Sequence, residues 1–220
     1  MKIRLFFEKS DEGRYISHLD LNRMFMRALK RAQIDVVYTQ GFNPHPYLVF
    51  SPPLSLGYIG TREILDLSVE PDIDYDELVR RLRTALPNGI RPTDAAEPVK
   101  KLGDIAFARY HIDLLMRDEA AAGVCREGIK KLFSSKELVL TKRTKRGEAE
   151  VDVMPLIRSM KTGKRGNTVT LDCVLACSPS MSLNPELLLT AADDWVEGYE
   201  PQLVTVERRG FLDAEGKDFA

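Results

Sequence analysis

The chain has 220 residues, 44% of them hydrophobic and 30% charged, with a formal net charge of −1. That length fits one large domain or two small ones, and the apolar share suffices for a buried core, which excludes wholesale disorder. No run approaches the ~18 apolar residues of a membrane span, and the opening MKIRLFFEKSDEGRYISH lacks the long apolar centre of a signal peptide. Cys125, Cys173 and Cys177 are an odd set in a chain too long to need stapling, so free thiols in the cytoplasm are expected.

The near-neutral total hides an uneven distribution. Between Thr141 and Arg165, eight bases (Lys142, Arg143, Lys145, Arg146, Arg158, Lys161, Lys164, Arg165) face Glu148, Glu150 and Asp152, a net +5. From Asp193 onward, eight acids face Arg208, Arg209 and Lys217, a net −5. A basic arm of this kind suits a polyanion, with the acidic tail as an internal competitor.

In chain order, Lys2–Phe7 is apolar and aromatic enough for a buried strand, and SDEGRY is a turn. Ser17 caps the helix that follows, with Asp20 three residues on as a capping-box variant. Its apolar stripe is Leu21, Met24, Phe25, Ala28, Leu29 and Ala32, spaced as one helical face. Val36–Tyr38 reads as a short strand. Gly41–Gly60 carries four prolines around Tyr47–Phe50, so a loop is expected to feed one strand and then a rigid turn at Pro52–Pro53. Glu63–Glu70 alternates like a half-buried strand. Asp74 caps a helix with Glu77 at the box position, Pro87–Gly89 end it, and Ile90–Val99 is extended.

The second half follows a similar order. Phe107–Leu115 is a strand and Asp118–Phe133 a helix. Glu137–Thr141 and Glu148–Val153 are strands around the basic turn KRTKRG, and Thr168–Ala176 is another strand. Asn184 caps a helix that starts with Pro185, and Gln202–Arg208 closes the set. The expected fold class is α+β: tandem ferredoxin-like (βαββαβ) domains with antiparallel sheets, spanning 1–99 and 104–220.

Two strings carry a resemblance. RYISHLDLNRMFMRALKRA (Arg14–Ala32) with QGFNPHPYLVFSPPLSLG (Gln40–Gly57) resembles the signature of the DUF2344 family, whose members are labelled radical-SAM-linked proteins. RTKRGEAEVDVMPLI (Arg143–Ile157) and LNPELLL (Leu183–Leu189) resemble its later motifs. The resemblance implies a radical SAM protein as partner, fused or encoded alongside, and an association with RNA or a ribosomal particle. It makes Tyr15, Ser17, His18, Asp20, Gly41, Phe42, Asn43, Pro44, His45 and Pro46 a candidate motif surface.

The chemistry carried by the chain itself is narrower. Cys173 and Cys177 have the first spacing of a radical SAM cluster motif, but Ser180 stands where the third thiolate belongs, so no cofactor is expected. His18, His45, His111 and the cysteines form no metal-ligand pair, so no metal is expected either. His18 lies in the first turn of a helix, where a positive dipole end favours neutral imidazole and anion binding. His45 is clamped between prolines. Both are candidates for a general base, as in ferredoxin-like RNA endonucleases that use a histidine near the first helix. Arg23, Arg27, Lys30 and Arg31 form a basic row on that helix. With Lys142, Arg143, Lys145 and Arg146 of the basic hairpin they are the candidate RNA contacts. Tyr15, Phe42, Tyr47 and Tyr58 around the loops are candidates for base stacking. There is no Walker loop and no nucleophile elbow.

The expectation is therefore a cytoplasmic accessory protein without catalysis of its own, binding RNA or a ribonucleoprotein and presenting it to a radical SAM enzyme. The alternatives are a metal-independent endoribonuclease resembling CRISPR repeat-processing proteins, and a protein-only adaptor that docks through the proline-rich loop.

Overall fold

The structure, a computed structural model, describes residues 1–144 and 147–219, with side chains outside 142–146. The chain is mixed α+β, with four α-helices among the described residues, and divides into two compact units, residues 1–104 with Phe219, and residues 105–218.

The first unit runs β1 (Lys2–Lys9), a 3-10 turn (Asp11–Tyr15), α1 (His18–Arg31), β2 (Leu48–Phe50), β3 (Ile59–Ser68), α2 (Tyr75–Ala85) and β4 (Ile90–Ala96). Its strands lie in the order β4-β1-β3-β2, each pair antiparallel. Alternation along β1 sends Ile3, Leu5 and Phe7 to one face, where they meet Leu65 and Leu67 of β3. The stripe of α1 (Leu21, Phe25, Ala28, Leu29) and that of α2 (Leu78, Val79, Leu82) close this core, with Met24 and Ala32 partly buried at its margin. Phe25 stands edge-on to Phe7 at 5.1 Å and to Phe50 at 5.6 Å. Removing such a ring costs about 3–5 kcal/mol, so these aromatics anchor the helix layer.

Both caps form as the sequence implies. The Ser17 hydroxyl accepts from Asp20 N at 3.1 Å and donates to the Asp20 carboxylate at 2.7 Å. Asp74 accepts from Glu77 N at 3.1 Å, but the Glu77 carboxylate turns outward to Arg80 and Arg81 instead of reaching back to the cap. Three charge-assisted bonds outcompete the single backbone donor. Val36–Tyr38 is not a strand: it makes only isolated bridges, Val36 to Val69 and Tyr38 to Pro46. The Pro-rich segment behind it leaves too few amide donors for a ladder. β3 starts four residues earlier than alternation implied, because Gly60 continues the register opposite Lys9.

The second unit runs β5 (Phe107–Leu115), α3 (Glu119–Leu132), the hairpin β6 (Val139–Thr144) and β7 (Gly147–Asp152), β8 (Ile157–Arg165), β9 (Thr168–Ala176), α4 (Pro185–Trp195) and β10 (Leu203–Leu212). Its strand order is β10-β5-β9-β8, again antiparallel, and β6-β7 form a sheet of their own. β8 is absent from the sequence reading. IRSMKTGKR shows no apolar alternation because it is an outer strand of this order with most side chains exposed or half-exposed, so burial leaves no pattern in it. Ala108, Ile112 and Leu114 of β5 pack the core with Val169, Leu171 and Cys173 of β9 and Cys125 and Ile129 of α3.

Candidate functional site

The basic row on α1 borders a groove. Arg23, Arg27 and Arg31 line an open groove of about 550 Å³ whose opposite wall is Ala85, Leu86 and Pro87 at the end of α2, with Ile16 and Asp20 at its mouth. One turn or so separates successive arginines, so all three guanidinium groups share this side. Arg23 pairs with Asp20 at 3.3 Å, and Arg31 donates to the Ala85 carbonyl at 2.5 Å. Arg27 is exposed and has no hydrogen-bond or ion-pair partner among the described residues. Asp20 is the single acid on the lining, and its carboxyl is held below the usual range, first by the Ser17 hydroxyl and then by Arg23. Lys30 is exposed but stands outside this lining. Arg31, Arg80 and Arg81 continue the basic surface along a neighbouring depression of about 400 Å³.

The groove keeps its shape because the backbones behind it touch. Ser10 N donates to the Gly89 carbonyl at 2.8 Å, and a methyl group on Gly13 would overlap that same carbonyl. Gly89 has φ +84, a left-handed conformation that glycine adopts without strain. Thus the turn that launches α1 is locked against the turn that ends α2.

His18 is the first residue of α1, and its ring stands edge-on to Phe50 at 5.5 Å. It borders a cleft of about 10 Å³ with Lys9, Ser51, Pro52, Pro53 and Glu63. Lys9 and Glu63 are buried, at 2% and 4% exposure, and were not legible as site residues in the sequence. Lys9 lies opposite Gly60 in the β1–β3 register and the Glu63 carboxylate folds over Gly60, so both side chains border the same cleft. Lys9 also donates to the Arg14 carbonyl at 3.2 Å. Buried charges of opposite sign stand in only a few places in a fold, and this one joins the Arg14–Ala32 string to the Phe50–Leu54 end of the second string.

The rest of the motif surface lies elsewhere. His45 Nδ1 is within hydrogen-bond distance of the Thr39 hydroxyl (3.2 Å) and the Asn43 carbonyl (3.1 Å), inside a small loop closed by Thr39 N to the His45 carbonyl at 2.8 Å. Gly41, Phe42, Asn43, Pro44 and Pro46 belong to that loop, with Phe42 fully exposed, and none of them lines the groove or the cleft. Tyr15 is exposed, with the Arg14 guanidinium 4.8 Å from its ring centre.

In the second unit, Lys142 and Arg143 lie on β6, opposite Ala149 and Glu148. Lys145 and Arg146 fall outside the described residues. His111 on β5 is held from both sides: Nδ1 is 2.7 Å from Asp172 on β9 and Nε2 is 3.1 Å from Asp113, two residues along its own strand. The i, i+2 spacing of His111 and Asp113 was readable as one strand face, whereas Asp172 requires the β5–β9 register. Cys173 and Cys125 are buried, which pushes their thiols up to about 12 and about 11. Among the described residues no group of three or more His, Cys, Asp or Glu side chains is placed to hold a metal ion, and no helix is long and apolar enough to cross a membrane.

Residues 2–185 match the model of a family described as an uncharacterized protein conserved in bacteria, DUF2344. The chain belongs to this family. The match takes in both strings that meet at the His18 cleft, the arginine row and the β6–β7 hairpin of this DUF2344 protein. No curated protein matches the chain with significance. Among solved structures, an unknown protein from Galdieria sulphuraria is similar at 12% identity, covering 94% of this chain and 96% of its own, with a TM-score of 0.27. A likeness of that degree carries no argument about fold or function.

Proposed function

We propose that this DUF2344 protein binds RNA through the arginine groove on α1 and acts as an accessory factor that presents the RNA to a partner radical SAM enzyme. The observation that carries the binding is the convergence of Arg23, Arg27 and Arg31 on one groove with a single opposing acid. Guanidinium groups spaced along a helix suit successive phosphates, because each contact releases condensed counterions and each planar fork takes a phosphate bidentately. The strand orders β4-β1-β3-β2 and β10-β5-β9-β8 support reading each unit as ferredoxin-like, with β6-β7 as an insertion. In that reading the groove lies on the helical layer and the basic hairpin adds a second contact. The radical SAM partner rests on the family resemblance alone.

Crosslinking to total cellular RNA at two salt concentrations tests the binding. A defined RNA set that is lost at high salt, and lost on Arg23→Glu/Arg27→Glu/Arg31→Glu, is the expected result. Equal retention by that triple variant overturns the groove. The partner is tested by co-purification of a radical SAM protein from nuclease-treated extract; its absence removes that part of the proposal.

A second reading, RNA cleavage, is favoured by one observation, the placement of His18 beside buried Lys9 and Glu63. It requires that cleavage by the purified chain disappear in His18→Ala while RNA binding persists. Full cleavage by that variant would remove it.

A further inference from the structure

A separate cavity in the first unit, of about 430 Å³, is bordered by Lys2, Tyr47, Val49, Asp66, Val99 and Lys101 among others. We propose that it binds a nucleoside phosphate, the base lying on Tyr47 and Val99 and the phosphate held by Lys2 and Lys101. The volume falls within the range of small-molecule sites. Tyr47 is 54% exposed and Val99 81%, so a flat ring laid on them removes apolar surface that the free protein leaves in water.

The charge of the cavity favours an anion. Lys2 and Lys101 are exposed and have no ion-pair partner among the described residues. Asp66, the one acid on the lining, is neutralised from beneath by buried Arg4, which grips both carboxylate oxygens at 2.8 and 2.7 Å. The same guanidinium donates to the Lys100 carbonyl at 2.7 Å and so ties the 98–103 wall to the sheet. Lys101 is fixed in turn, its N–H donating to the Asp104 carboxylate at 3.0 Å and its carbonyl accepting from Asp104 N at 2.9 Å. Arg4 thus silences a repulsive carboxylate and holds a lysine-bearing wall in place with one side chain. The site is distinct from the arginine groove and stands or falls independently of it.

A nucleoside phosphate has two sources, a free nucleotide or the end of an RNA strand. Amide NMR titrations of the full chain with adenosine 5′-monophosphate, adenosine, inorganic phosphate and a short 5′-phosphorylated oligoribonucleotide separate them. Saturable shifts at Val49, Val99 and Lys101 are expected with the monophosphate or the oligonucleotide, and at least about tenfold weaker binding of adenosine and inorganic phosphate. Tighter binding of the oligonucleotide identifies a strand end, and tighter binding of the monophosphate a free nucleotide. Lys2→Glu/Lys101→Glu and Tyr47→Ala are each expected to weaken the interaction about tenfold without lowering the melting temperature. Saturation by neither phosphorylated probe, inorganic phosphate binding as tightly as the nucleotide, or parent-like binding by both variants would overturn the proposal.

Discussion

Arg27→Ala tests the RNA binding proposed for the groove. Of the three arginines, Arg23 is shared with Asp20 and Arg31 with the Ala85 carbonyl, whereas Arg27 has no hydrogen-bond or ion-pair partner among the described residues. Each phosphate contact to a single strand contributes about −0.7 to the slope of log K against log salt, so three contacts give about −2. A fourfold rise in salt then weakens binding about twentyfold through the groove alone, and about sevenfold once Arg27 is gone. Contacts from the basic hairpin steepen both slopes equally, so the difference between parent and variant is the diagnostic quantity. Fluorescence anisotropy of a labelled, unstructured RNA over a salt series measures it directly. A slope in Arg27→Ala equal to that of the parent would refute the reasoning, whatever the absolute affinity.

Three further outcomes follow from the packing. Gly13→Ala is expected to destabilise the protein by about 2 kcal/mol or more, because its methyl would overlap the Gly89 carbonyl, read as a lowered urea midpoint at unchanged slope. Asn184→Ala removes the side chain that accepts from Glu186 N at 3.2 Å at the start of α4, and should cost about 1 kcal/mol by the same measurement. Burial raises Cys125 from 9.0 to about 11, Cys173 from 9.0 to about 12 and Tyr199 from 10.0 to about 12. The unfolded chain therefore releases these protons first, so their contribution is intact below about pH 9 and is lost between about pH 9 and 12. Chemical unfolding across that range, with slow thiol alkylation of the native protein at neutral pH, checks it.

What the sequence revealed and what it hid divide along physical lines. Caps were legible because their donors and acceptors are two or three residues apart: Ser17, Asp74 and Asn184 all accept a first-turn backbone N–H. The α1 stripe was legible because burial imposes its period on the residues. β8 was not, since an exposed outer strand imposes none. The arginine row was readable as a row, but its opposite wall comes from Leu86 and Pro87, and only tertiary packing brings them there. Lys9 falls beyond the expected Lys2–Phe7 strand and Glu63 opens the expected Glu63–Glu70 strand; their burial depends on the extension of β1 to Lys9 and on the β1–β3 register. His45 looked poised between its prolines, yet its ring nitrogen is engaged within its own loop.

The glycine contact behind the groove bears on the entropy of recognition. With Gly13 and Gly89 in backbone contact, Ile16 at one side of the groove and Leu86 and Pro87 at the other are joined through short, rigid connections. On the proposed reading, an RNA strand entering between them would meet walls already held at a fixed separation. The free energy of each guanidinium–phosphate contact would then be available for affinity instead of being consumed in ordering the receptor. Loosening that junction, even with every arginine retained, would weaken RNA binding through an increased ordering cost and leave the salt slope as it was.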